Sequence, residues 1–164
     1  MSFMKTLKNE KGLTLSELLA ALTLTTLIGF IAYGILFNGY KTYDRVNVEA
    51  ALRDEADLIM AELLNQLFLL KESEIDRTYF PQPNSTNYFI QLTNGQKIGF
   101  IDGKVFLDND SQYIIQNNNI RITDETKIQE VEKGQYRIIL SLEWIETNQT
   151  LTTESEIGII KDNG

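Results

Sequence analysis

The chain has 164 residues, with 15 lysines and arginines against 23 aspartates and glutamates, a net charge of −8, and neither cysteine nor histidine. That length suits one domain with a tail. The charge excludes nucleic-acid binding by bulk attraction to phosphate, and the missing residue types exclude a disulfide frame, a thiolate metal site and histidine chemistry.

Residues 1–12 carry Lys5, Lys8 and Lys11 against one acid, Glu10, and end in Gly12. Residues 18–40 then contain no formally charged side chain. As a helix that stretch is roughly 35 Å long, enough to cross an apolar bilayer core of about 30 Å. Its hydroxyls, Thr23, Thr25 and Thr26, can bond back to the helix backbone, and Asn38 lies near the far end. The lysine-rich flank predicts a cytoplasmic N-terminal end and an extracytoplasmic C-terminal body. A cleaved signal peptide with Ala32-Tyr33-Gly34 as its small-residue site is one reading of this region. A plain single-span anchor is another. Glu17 separates them, because a carboxylate at the edge of a spanning segment is costly and needs a partner. If the chain is cut after Gly12, the new amino group on Leu13 is a cation one helical turn from Glu17. It can pair with that acid in the same chain or in a neighbouring one, and pairing between chains sets a register.

From residue 41 the pattern turns amphipathic. Val48, Leu52, Ala56, Ile59, Leu63, Leu67 and Leu70 follow one another at steps of three or four, with Asn47, Asp54, Asp57 and Asn65 on the other side. No proline interrupts residues 13–72, so one helix of about 60 residues, roughly 90 Å, is expected. Its stripe is expected to cover the domain that follows. Residues 73–86, which include Pro81 and Pro83, read as a linker.

Residues 87–164 read as an antiparallel sheet domain. Runs at 88–92, 97–101 and 104–107, separated by Asn94-Gly95 and Asp102-Gly103, predict a three-stranded meander. Residues 112–116 suggest a short strand, and 120–123 alternate. Residues 124–134 are charged and read as a loop. Tyr136, Ile138, Leu140, Leu142 and Trp144 share one face, with Arg137, Ser141 and Glu143 opposite. Leu151, Thr153, Ser155, Ile157 and Ile159 repeat that alternation after a turn at 147–149. The expected fold is therefore α+β, a long N-terminal helix packed on a C-terminal antiparallel sheet.

Gly12-Leu13-Thr14-Leu15-Ser16-Glu17-Leu18-Leu19 resembles the prepilin cleavage and methylation motif of type IV pilins and type II secretion pseudopilins. The resemblance covers about the first third of the chain. It implies a leader at 1–12, a transmembrane and filament-core helix at 13–40, and an amphipathic continuation at 41–72. It implies cleavage by prepilin peptidase after Gly12, methylation of Leu13, and Glu17 as the assembly acid. The implied partners are other pilins or pseudopilins in a filament, an assembly platform in the membrane, and lipid before assembly. No cofactor and no catalysis are implied. The family usually has phenylalanine at the Leu13 position and an apolar residue at the Ser16 position. Where many members carry a mid-span proline, this chain has Gly34, flanked by Gly29 and Gly39, which suits local bending or close helix packing. The pattern is closest to a minor subunit, of the J-type in secretion or of Gram-positive competence pili.

Other motifs read as solvated structure. Asp108-Asn109-Asp110-Ser111 has the oxygen density of a calcium loop but lacks the spaced glycine and distal glutamate. The Asn-X-Ser/Thr triplets at Asn84, Asn109 and Asn148 are near chance in an asparagine-rich chain. A surface-displayed ligand-binding domain on a single span that never polymerises is the competing function. An anchored enzyme would need a pocket of convergent polar groups, and the sequence offers none.

Overall fold

The computed structural model describes residues 14–80, 87–107 and 112–161. Within them the chain runs from one long helix into nine strands, an α+β layout. Helix α1 spans Leu15–Phe68, 54 residues without a break. Its residues fall into two compact units that divide between Asp44 and Arg45.

In the first unit, α1 is exposed on all sides except for partial cover at Gly34. It is long and apolar enough to cross a membrane. In the second unit the expected stripe is the buried one. Leu52, Ala56, Ile59, Leu63 and Leu67 are essentially inaccessible to solvent, while Asn47, Asp54, Asp57 and Asn65 are exposed. Spacing near 3.6 residues is what puts these five on one side. The helix ends at Phe68, earlier than the expected residue 72. Leu70, the last residue of the stripe, is buried from an extended segment that a 3-10 turn, Glu72–Glu74, follows.

Two antiparallel sheets complete the second unit. The first is a five-stranded meander in chain order: β1 (Ile75–Tyr79), β2 (Tyr88–Leu92), β3 (Lys97–Ile101), β4 (Lys104–Phe106) and β5 (Gln112–Tyr113). The turn between β3 and β4 has positive φ at Asp102 (51°) and Gly103 (70°), the conformation that Asp-Gly supplies for a two-residue hairpin. The β2–β3 turn is closed by Gly95 N–H to the Leu92 carbonyl, 2.9 Å, and Leu92 N–H to the Gln96 carbonyl, 2.8 Å.

The second sheet is built on β8 (Gln135–Trp144). On one edge β8 carries β7 (Lys127–Glu132) and β6 (Ile120–Ile122) in succession, and on the other β9 (Gln149–Gly158) pairs along its full length. The gap between β6 and β7 falls at Ser141 and is closed by a buried hydroxyl. Thr126 Oγ1 accepts from Ser141 N–H at 2.9 Å and donates to the Ser141 carbonyl at 3.1 Å, and Thr123 N–H donates to that carbonyl at 2.9 Å. Ser141, which alternation sets on the face opposite Leu140 and Leu142, is covered there too. It is fully buried, and Thr152 Oγ1 lies 3.1 Å from its hydroxyl.

Two expected irregular segments are strands. The linker at 73–86 contains β1, and the charged loop at 124–134 contains β7. Neither buries an alternating apolar face. β1 is exposed beyond Ile75, and β7 buries only Ile128. Backbone pairing with β2 and β8 makes them strands, which side-chain patterning cannot report.

Apolar residues of α1 and of both sheets form one core, to which the sheets give Ile90, Ile98, Phe100, Val105, Ile128, Ile138, Leu140 and Leu142. Gly99 makes the close approach in this core. Its φ is +138°, and a Cβ there would stand 2.3 Å from the Tyr88 carbonyl oxygen and 2.8 Å from the Phe89 Cα. Three polar groups are carried at its margin. Glu55 is buried on α1, and its Oε1 has no hydrogen-bond partner among the described residues. The Tyr113 phenol is pushed up to about 12, first by burial, then by its hydrogen bond to Glu55 and by the charges of Glu55 and Glu62. Tyr136, whose ring meets Phe80 edge-on at 5.9 Å, is also pushed up to about 12, by burial and then by Glu130 and Glu72.

Gly99→Ala is expected to cost about 3 kcal/mol or more in urea unfolding, since backbone rather than a flexible side chain meets the new methyl. The folded state holds the protons of Tyr113 and Tyr136 above the unfolded value of 10.0. The stability they contribute is thus complete below pH 10 and lost as pH rises toward 12. Unfolding measured across that window should show the fall, and Tyr136→Phe should make it shallower.

Candidate functional site

The start of α1 is built by Thr14 and Glu17. Thr14 precedes the first helical residue, where a threonine oxygen can accept from the free N–H groups of the first turn. Glu17 N–H lies 3.3 Å from Thr14 Oγ1. In return Glu17 Oε2 accepts from Thr14 N–H and from the Thr14 hydroxyl, each at 2.9 Å. Ser16 Oγ lies 3.0 Å from the same hydroxyl. Thr14-Leu15-Ser16-Glu17 is thus a reciprocal capping box. The Thr-X-X-Glu spacing was the signal for it in the sequence.

The other predicted site residues, Gly12 and Leu13, lie outside the described residues, as do Asp108 to Asp110 of the calcium-like loop and Asn84 and Asn109. Among the described residues no group of three or more carboxylates can hold a metal ion.

Behind the cap, the hydroxyls of the uncharged run are satisfied as expected. Thr23, Thr25 and Thr26 donate to the carbonyls four residues back, Leu19, Ala21 and Leu22, at 2.7–2.8 Å. Such bonds remove the hydroxyl penalty in an apolar surrounding. The aliphatic and aromatic side chains of this run stand open, with Phe30 73% exposed. Apart from the adjoining residues and the helix's own nearby backbone, no atom among the described residues lies within 4 Å of a Cβ placed at Gly29, Gly34 or Gly39. Close packing at these glycines therefore has no partner within the described chain. Toward the end of the run Tyr33 stacks on Phe37 at 6.2 Å, and the Lys41 ammonium lies 4.5 Å from the Phe37 ring centre. Tyr40 and Tyr43 follow, both exposed. Aromatic rings with a lysine suit a boundary between apolar and aqueous surroundings.

Together these features define a protein with one N-terminal helix able to cross a membrane, capped by an acid at its start, and an antiparallel sheet domain after it. Comparison with family models, curated proteins and solved structures finds no match to this chain.

Thr14→Val should remove about 1 kcal/mol from the first turn, read as several-fold faster amide exchange at Glu17 and Leu18. Glu17→Gln should leave that exchange nearly unchanged, because glutamine still accepts from Thr14 N–H.

Proposed function

We propose that this chain is a minor pilin-like subunit, trimmed by prepilin peptidase after Gly12 and assembled into a pilus or pseudopilus. The observation that carries the reading is the juxtaposition at the helix start. An acid in the first turn opens 23 residues with no charge, directly after the Gly12-Leu13 step.

In this reading the leader's lysines keep the N-terminus in the cytoplasm, and the sheet domain lies outside. Water cleaves the amide between Gly12 and Leu13, leaving a carboxylate on the leader and an amine on Leu13, which loses a proton and takes a methyl group from an external sulfonium donor that leaves as its neutral sulfide. Glu17 Oε1, which makes no hydrogen bond among the described contacts of the cap, is turned toward the ammonium group of an adjacent subunit. Pairing lowers the cost of holding that carboxylate in an apolar place, and an unpaired copy is penalised. The helices then leave lipid and bury their exposed apolar sides against one another. This chain performs no catalytic step and carries no cofactor. Its role is to occupy one place in a filament used for secretion, DNA uptake or adhesion.

The capping box favours a second reading, a single-span anchor whose extracytoplasmic domain binds a ligand without polymerising. In that case Glu17 serves only the first turn of its own helix.

Mass spectrometry of protein from the native membrane separates the two. A chain beginning at N-methylated Leu13 is expected, and an intact leader or a start beyond Tyr33 would overturn the proposal. Glu17→Gln keeps the cap and removes the charge. It should insert and be cut, yet fall at least about tenfold in a sheared filament fraction, as Glu17→Ala should. Incorporation of Glu17→Gln at the wild-type level would show that the acid acts as a cap alone.

A further inference from the structure

The outer edge of β9 is a strand edge with its own groove. In the β8–β9 ladder, Ile159 N–H donates to the Gly134 carbonyl and the partners run from Gln135↔Gly158 to Trp144↔Gln149. Alternation then turns the N–H and C=O of Thr150, Thr152, Glu154, Glu156 and Gly158 away from β8. Among the described residues, no backbone hydrogen bond outside the ladders reaches these groups. Just past them the same edge is in use. Ile160 N–H donates to the Leu70 carbonyl and Glu72 N–H to the Ile160 carbonyl, both 2.9 Å, with Lys71 and Ile160 paired in parallel. Before Leu70 the chain is helical and cannot continue that pairing. What remains is an open groove of about 520 Å³, lined by Leu64, Asn65 and Phe68 of α1 and by Glu156, Ile157 and Gly158 of β9.

We infer that this groove accepts an extended segment of another polypeptide as a tenth strand beside β9, with basic and apolar side chains at alternating positions. The two faces of the edge dictate that pattern. An added strand sends alternate side chains to opposite sides. On one side they meet Phe68, which is 63% exposed, with Leu64 and Ile157, which are half-buried. On the other they meet Glu154 and Glu156, both exposed. Arg137 is bound to Glu156 and lies on the side of β8, so two acids share one cation and their outward side stays negative. A second copy of this chain is a poor occupant. Antiparallel pairing of β9 with itself about Glu154 would set Glu154 against Glu154. The inference does not depend on filament assembly.

The test uses the full chain in zwitterionic micelles and the capped peptide Thr-Lys-Val-Lys-Val-Lys-Thr, with its Lys-to-Glu counterpart as control. Amide shifts and slowed exchange are expected at Thr152, Glu154, Glu156 and Gly158 with the lysine peptide. Glu154→Lys should weaken that peptide about tenfold and favour the glutamate peptide. Glu154→Pro should abolish binding while the β8 amides stay protected, since proline is tolerated where an edge N–H faces outward. No binding of the lysine peptide at about 1 mM, or equal binding of both peptides, would overturn the proposal. So would self-association at this edge that Glu154→Pro removes, which would make the occupant another copy.

Discussion

Burial of one helical stripe under two sheets is the constraint on which the second unit depends. Leu52, Ala56, Ile59, Leu63 and Leu67 share one core with Ile90 of β2, Ile98 and Phe100 of β3, and Ile138, Leu140 and Leu142 of β8. Neither sheet is large, and a small sheet needs an apolar cover to be stable. The stripe supplies it because the helix turns polar on its remaining sides after residue 44. Before that residue the same helix is apolar all round and has no cover from the described chain. A surface of that kind suits lipid or other apolar helices. The composition of α1 thus changes between its two units.

Glu17 serves the first turn of its own helix. In the folded chain its carboxylate is held by Thr14 through two hydrogen bonds. These satisfy an otherwise free N–H and place negative charge at the positive end of the helix dipole. Neither contact neutralises the charge. A carboxylate that enters an apolar layer gains from a cation, which is the interaction proposed above for an adjacent subunit.

The edges of the sheets are managed differently from one another. β1 and β5 are short, and the Tyr113 ring of β5 packs against the core. β9 is ten residues long and defended only by acids and threonines on its exposed face. Charged side chains are a common guard against indiscriminate pairing. A guard of one sign repels strands of the same sign, and the occupant proposed above carries the opposite one.

Much of this protein was written in its residue order. Stretches with strong periodicity were legible: the uncharged run, the stripe from Val48 to Leu67, the Asp102-Gly103 turn and the β8–β9 hairpin. Each is a local pattern whose burial follows from its own spacing, and the α+β layout follows from them. The acid at Glu17 stands out in the sequence by its charge, and the Thr-X-X-Glu spacing encodes its reciprocal bonds with Thr14. Only tertiary structure decided that 75–79 and 127–132 are strands, that Ser141 is buried and that the strands divide between two sheets. These depend on which backbone lies alongside, a relation between distant residues that no local spacing encodes. The groove beside β9 has the same origin. It exists because a helix that ends at Phe68 leaves an edge that the residues after it reach only at Ile160.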